Sequence, residues 1–259
     1  MPPVGLGTYR LTGEPCTQMV ARALDLGYRH VDTAEMYGNE AAVGAGLAAA
    51  DVPREDLFLA TKLWHDSLAP GDVAPTAAAS REALGVDVLD LLYVHWPAGD
   101  YVAGETLPAM AALRDRGLVD HLGVSNFTPA LLDEARDVLG APPAYLQVEC
   151  HPLLPQERLR AYCERHGIQL VGYAPLARGR VADVPAVRQA AERHDATPAQ
   201  VSLAWLREKG VAAIPKTADE GHLRENLAST ALDLSAADVE AIDAVERRER
   251  VVAPSFGPW

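Results

Sequence analysis

Short, continuously apolar runs alternate along this chain with longer segments whose apolar residues recur at helical spacing. Seven runs stand out: Tyr28–Thr33, Leu57–Leu63, Leu89–Trp96, His121–Ser125, Tyr145–Cys150, Gln169–Ala174 and Val211–Pro215. Continuous rather than alternating apolarity is what strands buried on both faces require. In Thr128–Leu139, the residues Leu131, Leu132, Ala135, Val138 and Leu139 fall on one helical face. Thr128 is placed as N-cap there, Pro129 opens the helix and Gly140 closes it. Further helices are expected from Glu157 to His166, stopped by Gly167, and from Thr197-Pro198 through Leu206. A last one follows a Ser235 cap, with Val239, Ile242 and Val245 on one face.

Strands alternating with helices imply βαβ units and a parallel sheet. A weaker run, Ala231–Leu234, brings the count to eight, which favours a closed barrel over an open doubly wound sheet. The expected fold is therefore an α/β (β/α)8 TIM barrel, a single domain over residues 1–259. A Rossmann fold is excluded because no Gly-x-Gly-x-x-Gly turn follows the first strand. Gly5-Leu6-Gly7 is placed before the first barrel strand and leads into no helix.

Composition narrows the picture further. A length of 259 residues and an apolar fraction of 49% suit one barrel with a continuous core. No uncharged apolar stretch reaches the ~18 residues of a membrane span, and Met1–Gly5 lacks the regions of a signal peptide. Cys16, Cys150 and Cys163 are odd in number and lack metal-type spacing, so reduced thiols and a cytoplasmic location are expected. A net charge of -13 argues against nucleic acid or an anionic membrane as partner. Lysine occurs only as Lys62, Lys209 and Lys216 while arginine is plentiful, which draws attention to the lysines that remain.

Polar residues gather at the ends of the apolar runs: Asp32, Lys62, His95, Ser125-Asn126, Gln147, Tyr173 and Lys216. That is the barrel face where reacting groups sit. Asp32, Tyr37, Lys62 and His95 together supply what carbonyl reduction needs. Negative charge develops on oxygen as hydride reaches carbon, so a proton donor and a polarising hydrogen bond are required. A tyrosine hydroxyl can donate, although its ordinary pKa near 10 makes it a weak acid. A neighbouring lysine would lower that value, and a carboxylate would keep the lysine charged. A neutral histidine could then orient the carbonyl. Singly, each residue has an ordinary explanation in capping, packing or surface pairing; as a set on one face they point to chemistry.

Several segments resemble the aldo-keto reductase superfamily, nearly end to end. Gly5-Leu6-Gly7-Thr8-Tyr9 is similar to its opening, and Gly27-Tyr28-Arg29-His30-Val31-Asp32-Thr33-Ala34 with Tyr37-Gly38-Asn39-Glu40 to its most specific signature. Thr61-Lys62-Leu63-Trp64 and Val94-His95-Trp96-Pro97 resemble its lysine and histidine contexts. The resemblance implies Tyr37 as general acid, Asp32 and Lys62 as its tuning pair, and His95 as the carbonyl-orienting group. It also implies NADPH as cofactor. Ser125, Asn126 and Gln147 would hold the carboxamide, Tyr173 would stack on the nicotinamide, and Leu176 belongs to the Tyr173-Ala174-Pro175-Leu176 segment beside it. Lys216 and Thr217 would hold a 2′-phosphate, and Glu225 and Asn226 the adenine.

The chain departs from that pattern where NADPH-preferring members carry an arginine six residues after the lysine. Here the position is His222, with Arg224 two residues on. Imidazole is shorter and mostly neutral at pH 7, so weakened discrimination against NADH is expected unless Arg224 swings in. A barrel without the family's N-terminal hairpin is expected. The short loops Ala98–Glu105 and Val251–Trp259 imply a shallow, open pocket for small or polar carbonyls, lined by Tyr9, Trp64 and Trp96. This resembles the prokaryotic 2,5-diketo-D-gluconate reductase branch. A monomer without metal is expected. Two rival readings are a cofactor-binding regulatory module on the same fold and a metal-dependent barrel hydrolase using Asp32, His95 and His65.

Overall fold

The computed structural model describes residues Met1–Trp259. Eight strands form one parallel sheet in sequence order: β1 (Leu6–Gly7), β2 (His30–Asp32), β3 (Phe58–Leu63), β4 (Leu89–Val94), β5 (Val119–Ser125), β6 (Tyr145–Glu149), β7 (Gln169–Tyr173) and β8 (Ala212–Ala213). The sheet curls until its edges meet. Gly5 N–H donates to the Ala213 carbonyl at 2.8 Å, Ala213 N–H to Pro3 at 2.8 Å, and Gly7 N–H to Pro215 at 3.0 Å. Gly7 is required at this seam, because a Cβ there would lie 2.7 Å from the Ile214 carbonyl oxygen.

The closing strand corrects the expectation drawn from the sequence. Ala231–Leu234 is not a strand: Ser229–Ala231 forms a single 3-10 turn on the outside, where Arg207 binds the carbonyls of Thr230 and Leu232. The eighth strand is instead Leu6–Gly7, and helix α1 (Gly13–Asp25) does follow it. A two-residue strand between glycines carries too little apolar signal to be read as one.

Nine further helices follow: α2 (Glu40–Ala49), α3 (Pro70–Leu84), α4 (Ala103–Asp115), α5 (Pro129–Leu139), α6 (Glu157–His166), α7 (Pro185–Arg193), α8 (Pro198–Glu208), α9 (Glu220–Ala228) and α10 (Ala236–Asp243). The local signals act as expected. Thr128 Oγ1 caps α5 and Gly140 ends it in the left-handed region; Thr197 and Ser235 open α8 and α10 with reciprocal capping boxes. Gly167 likewise ends α6 in the left-handed region.

Aromatic rings fill the floor of the barrel. His30 meets Phe58 edge-on at 5.5 Å, and Tyr145 packs on Phe58 at 5.6 Å. His30 is fully buried with neither ring nitrogen bonded to a side chain or carbonyl partner. Burial, helped by nearby positive charge, pulls its pKa down to about 3. The folded form therefore holds the ring neutral where an unfolded chain, with an ordinary value near 6.5, takes up a proton. Stability is fully present above pH 6.5 and falls as pH drops toward 3, by about 1.4 kcal/mol per unit from this residue. In His30→Leu, urea midpoints measured between pH 7 and pH 4 are expected to fall less steeply than in wild type. Parallel curves would show that His30 does not titrate in the unfolded chain as supposed.

Candidate active site

The ends of the strands bring the predicted polar residues to one rim. Asp32 closes β2 and Lys62 lies near the end of β3; both are fully buried. Lys62 Nζ donates to Asp32 Oδ1 and, at 2.7 Å, to the Thr33 carbonyl. The second Asp32 oxygen accepts from Gln147 Nε2 at 2.7 Å. Burial pushes the Asp32 carboxyl up and the Lys62 amine down, while their mutual attraction opposes both shifts. The pair is a fixed, desolvated dipole with one lysine proton direction left open.

Tyr37 lies above this pair on a 3-10 turn, Glu35–Tyr37, closed by Gly38 in the left-handed region. Its ring centroid is 5.2 Å from Lys62 Nζ and 5.7 Å from the His95 ring. The turn is tied down by Glu35, whose carboxyl accepts from Trp64 N–H at 2.8 Å and Ser67 Oγ at 2.7 Å. Asn39 does the same from behind: it donates to the Thr8 and Leu11 carbonyls and accepts from Thr33 Oγ1 at 2.8 Å. Neither anchor was identified from the sequence, although Asn39 lies inside the matching signature and Glu35 between its two segments.

The expected lowering of the tyrosine pKa is not found. Burial first, then Asp32, Tyr173 and Tyr9, hold the Tyr37 hydroxyl well above its ordinary range. The Asp32 charge offsets that of Lys62, so desolvation wins, and Tyr37 stays protonated at rest. His95 moves the other way. Burial and the Lys62 charge push it well below 6.5, so the ring is neutral at physiological pH, with Nδ1 buried and unpartnered.

A cavity of ≈ 770 Å³ opens over these groups, lined by Tyr9, Asp32, Tyr37, Trp64, His95 and Trp96. It is also lined by Asn126, Gln147, Tyr173, Leu176 and Lys216, from the strand ends predicted to hold a cofactor. Asn126 Nδ2 donates to the His95 carbonyl and to Ser125 Oγ, both at 3.0 Å, and Tyr173 donates to Asn126 Oδ1 at 2.8 Å. Gln147 departs from the expected grouping, since its amide nitrogen is committed to Asp32. Seven non-glycine residues have positive φ, and four of them, Arg10, Asn126, Ala174 and Arg178, line the cavity. Such backbone costs about 1–3 kcal/mol per residue and concentrates where function demands it.

The outer predicted residues lie at the mouth and along α9. Lys216 is exposed, and Thr217 is buried with Oγ1 3.5 Å from His222 Nδ1. Asp219 caps α9 by accepting from His222 N–H. Glu225 is half-buried and Asn226 buried on that helix. Arg224 is held by Glu220 at 2.6 Å, and Glu220 also pairs with Arg22 at 2.7 Å. The tail was expected to leave the pocket open, yet Val251–Pro254 and Phe256 line its wall, and Arg10, Arg178 and Gly179 join them. His151 is buried against Glu149 and does not line the cavity; Tyr162 and Trp205 are core. No three His, Cys, Asp or Glu side chains come together in a way that could hold a metal ion, and Asp32 is engaged by Lys62.

A family model described as "Aldo/keto reductase family" matches residues 3–247. The chain belongs to this family. The aldo/keto reductase described above is thus an oxidoreductase, and its relatives carry names of carbonyl reduction. It is similar to a protein named methylglyoxal reductase DkgB from Escherichia coli O157:H7, 38% identical over 257 residues, covering 98% of this chain and 96% of that one. A glyoxal reductase of Bacillus subtilis (strain 168) is 38% identical over 252 residues, covering 97% and 91%. Among solved structures, a putative 2,5-diketo-D-gluconic acid reductase B superposes with a TM-score of 0.95 at 37% identity, covering 99% of this chain and 92% of that one. The aldose reductase of Schistosoma japonicum superposes with a TM-score of 0.92 at 31% identity, covering 96% and 90%. No helix is long and apolar enough to cross a membrane.

Proposed function

We propose that this aldo/keto reductase reduces small aldehydes and ketones with NADPH, using Tyr37 as general acid. The observation that carries the reading is the buried Lys62–Asp32 pair beneath Tyr37, with neutral His95 beside it, facing one cavity. The lining suits a nicotinamide dinucleotide. Asp32 is its only acid and is already paired, whereas Arg10, Arg178 and Lys216 are cations in a chain of net charge -13. Phosphates are attracted there by the local charge. Ser125, Asn126 and Tyr173 are bonded to one another here, so a carboxamide would have to share or exchange these hydrogen bonds, while the Tyr173 ring offers a flat face. Lys216 and Thr217 would hold the outer phosphate, with Glu225 and Asn226 near the adenine. When bound, the cofactor supplies the hydride.

The chain's own residues do the rest. His95, kept neutral, donates a hydrogen bond to the carbonyl oxygen and fixes its direction. Tyr37, protonated at rest, gives its proton to that oxygen as charge develops there. Lys62 then stabilises the phenolate left behind, and Asp32 with Thr33 keeps the ammonium aimed. Trp64, Trp96 and Tyr9 exclude water, which strengthens each of these interactions.

Titration with NADPH and NADH, followed by tryptophan fluorescence, tests the reading. Turnover on an aldehyde panel headed by methylglyoxal, chosen from the relatives' names, completes it. Tight NADPH binding with turnover is expected. Binding without turnover on any carbonyl would favour a cofactor-sensing module, and no binding would overturn the reading. His222→Arg is expected to raise the NADPH-to-NADH preference by about tenfold, the scale of one charge-assisted phosphate contact. Equal preference in wild type and variant would mean that Lys216 and Thr217 alone set the selectivity.

A further inference from the structure

β6 ends on a buried carboxyl group that the proposed chemistry leaves idle. Glu149 is fully enclosed. Val251 N–H donates to its Oε1 at 2.6 Å, Val252 N–H donates to Oε2 at 2.8 Å, and His151 Nε2 lies 2.9 Å from Oε1. No lysine or arginine pairs with it. A buried carboxyl group is costly unless partners fill its oxygens, so detaching the tail would leave this one with His151 alone. Successive N–H groups of an extended chain point to opposite sides. Two on one carboxyl therefore impose the bend seen at Val251.

Beyond that bend the tail becomes a wall of the cavity. The Phe256 ring packs edge-on against Trp96 at 5.4 Å, His65 at 5.1 Å and Trp64 at 6.1 Å. Glu149 also sits directly opposite Tyr173 across the β6–β7 ladder. Two neighbouring strand ends thus carry the ring proposed to face the cofactor and the anchor of the facing wall.

We propose that Glu149 is a positioning residue for carbonyl binding: it fixes the Val251–Val252 backbone and so places Phe256 against Trp64 and Trp96. The inference rests on the reductase reading for its kinetic half, while the anchoring half is independent of turnover.

Glu149→Gln keeps the volume but turns a donor toward one tail N–H. With an aromatic aldehyde, KM is expected to rise about tenfold with kcat within about twofold, the scale of one charge-assisted hydrogen bond used for placement alone. NADPH affinity should be unchanged. Phe256→Ala should raise KM similarly, and the double variant should add nothing further, because both act through one wall. Amide hydrogen exchange should accelerate in residues 246–259 and not in the strands. If Glu149→Gln misfolds, Val251→Pro removes one donor without touching the carboxyl and should give the same KM rise and tail exchange. Additive KM effects, a fall in kcat with KM unmoved, or unchanged tail exchange would each overturn the proposal. If wild type turns over no carbonyl, the reductase reading fails by itself, and tail exchange still decides whether Glu149 is the anchor.

Discussion

Tyr37→Phe is expected to lower kcat for aldehyde reduction by about 10²–10⁴-fold, the usual weight of a positioned proton donor, while NADPH binding stays at the wild-type level. The ring is retained, so its packing on Tyr9 at 5.1 Å and on His95 at 5.7 Å survives and the cavity keeps its shape. Only the hydroxyl is lost. No neighbour can replace it: His95 is held neutral, far below the range in which it could act as a proton source at pH 7, and Lys62 is already bonded to Asp32 and Thr33. Stopped-flow turnover and fluorescence titration on the same preparation separate the two effects. If the variant keeps near-normal turnover, the proton comes from elsewhere, and the role given to Tyr37 is wrong.

Lys62→Met should be the most destabilising single change at the site. It leaves the Asp32 carboxylate buried, with only Gln147 as partner. Removing one member of a buried pair costs about 3–5 kcal/mol, because the surviving charge has no compensation. For a chain of this length that corresponds to a Tm lower by roughly 10 °C. Adding Asp32→Asn removes the stranded charge, so the double variant should regain most of the stability while activity stays lost. Calorimetry and kcat on the single and double variants make the comparison. Failure of Asp32→Asn to recover any stability would mean that Lys62 supports the barrel by packing, and the ion pair would no longer explain its burial.

Much of this was legible in the residues themselves. The strand runs from Tyr28 to Pro215, the caps at Thr128, Thr197 and Ser235, and the terminators Gly140 and Gly167 are local signals. Local signals survive in tertiary structure when they agree with it. The juxtaposition of Asp32, Lys62 and His95 followed from a topological rule: polar residues at the C-terminal ends of parallel strands share one barrel face. The rule failed where its input was weak. Ala231–Leu234 had enough apolar character to be counted, and Leu6–Gly7 had too little, yet the seam hydrogen bonds from Gly5 and Gly7 to Ala213 and Pro215 decide the matter.

What the order of residues determined by itself was the set of elements and which side chains stand at their ends, because periodicity, capping and strand direction depend on near neighbours. What only the tertiary structure decided depends on distance through space. Gln147 turns to Asp32 across 115 positions, Glu149 reaches Val251 and Val252 across more than 100, and Arg22 meets Glu220 across 198. The protonation of Tyr37 belongs to the same class. A nearby lysine alone would lower its pKa, but burial and the Asp32 charge together outweigh that pull. Desolvation is a property of everything packed around a group, and no spacing along the chain encodes it.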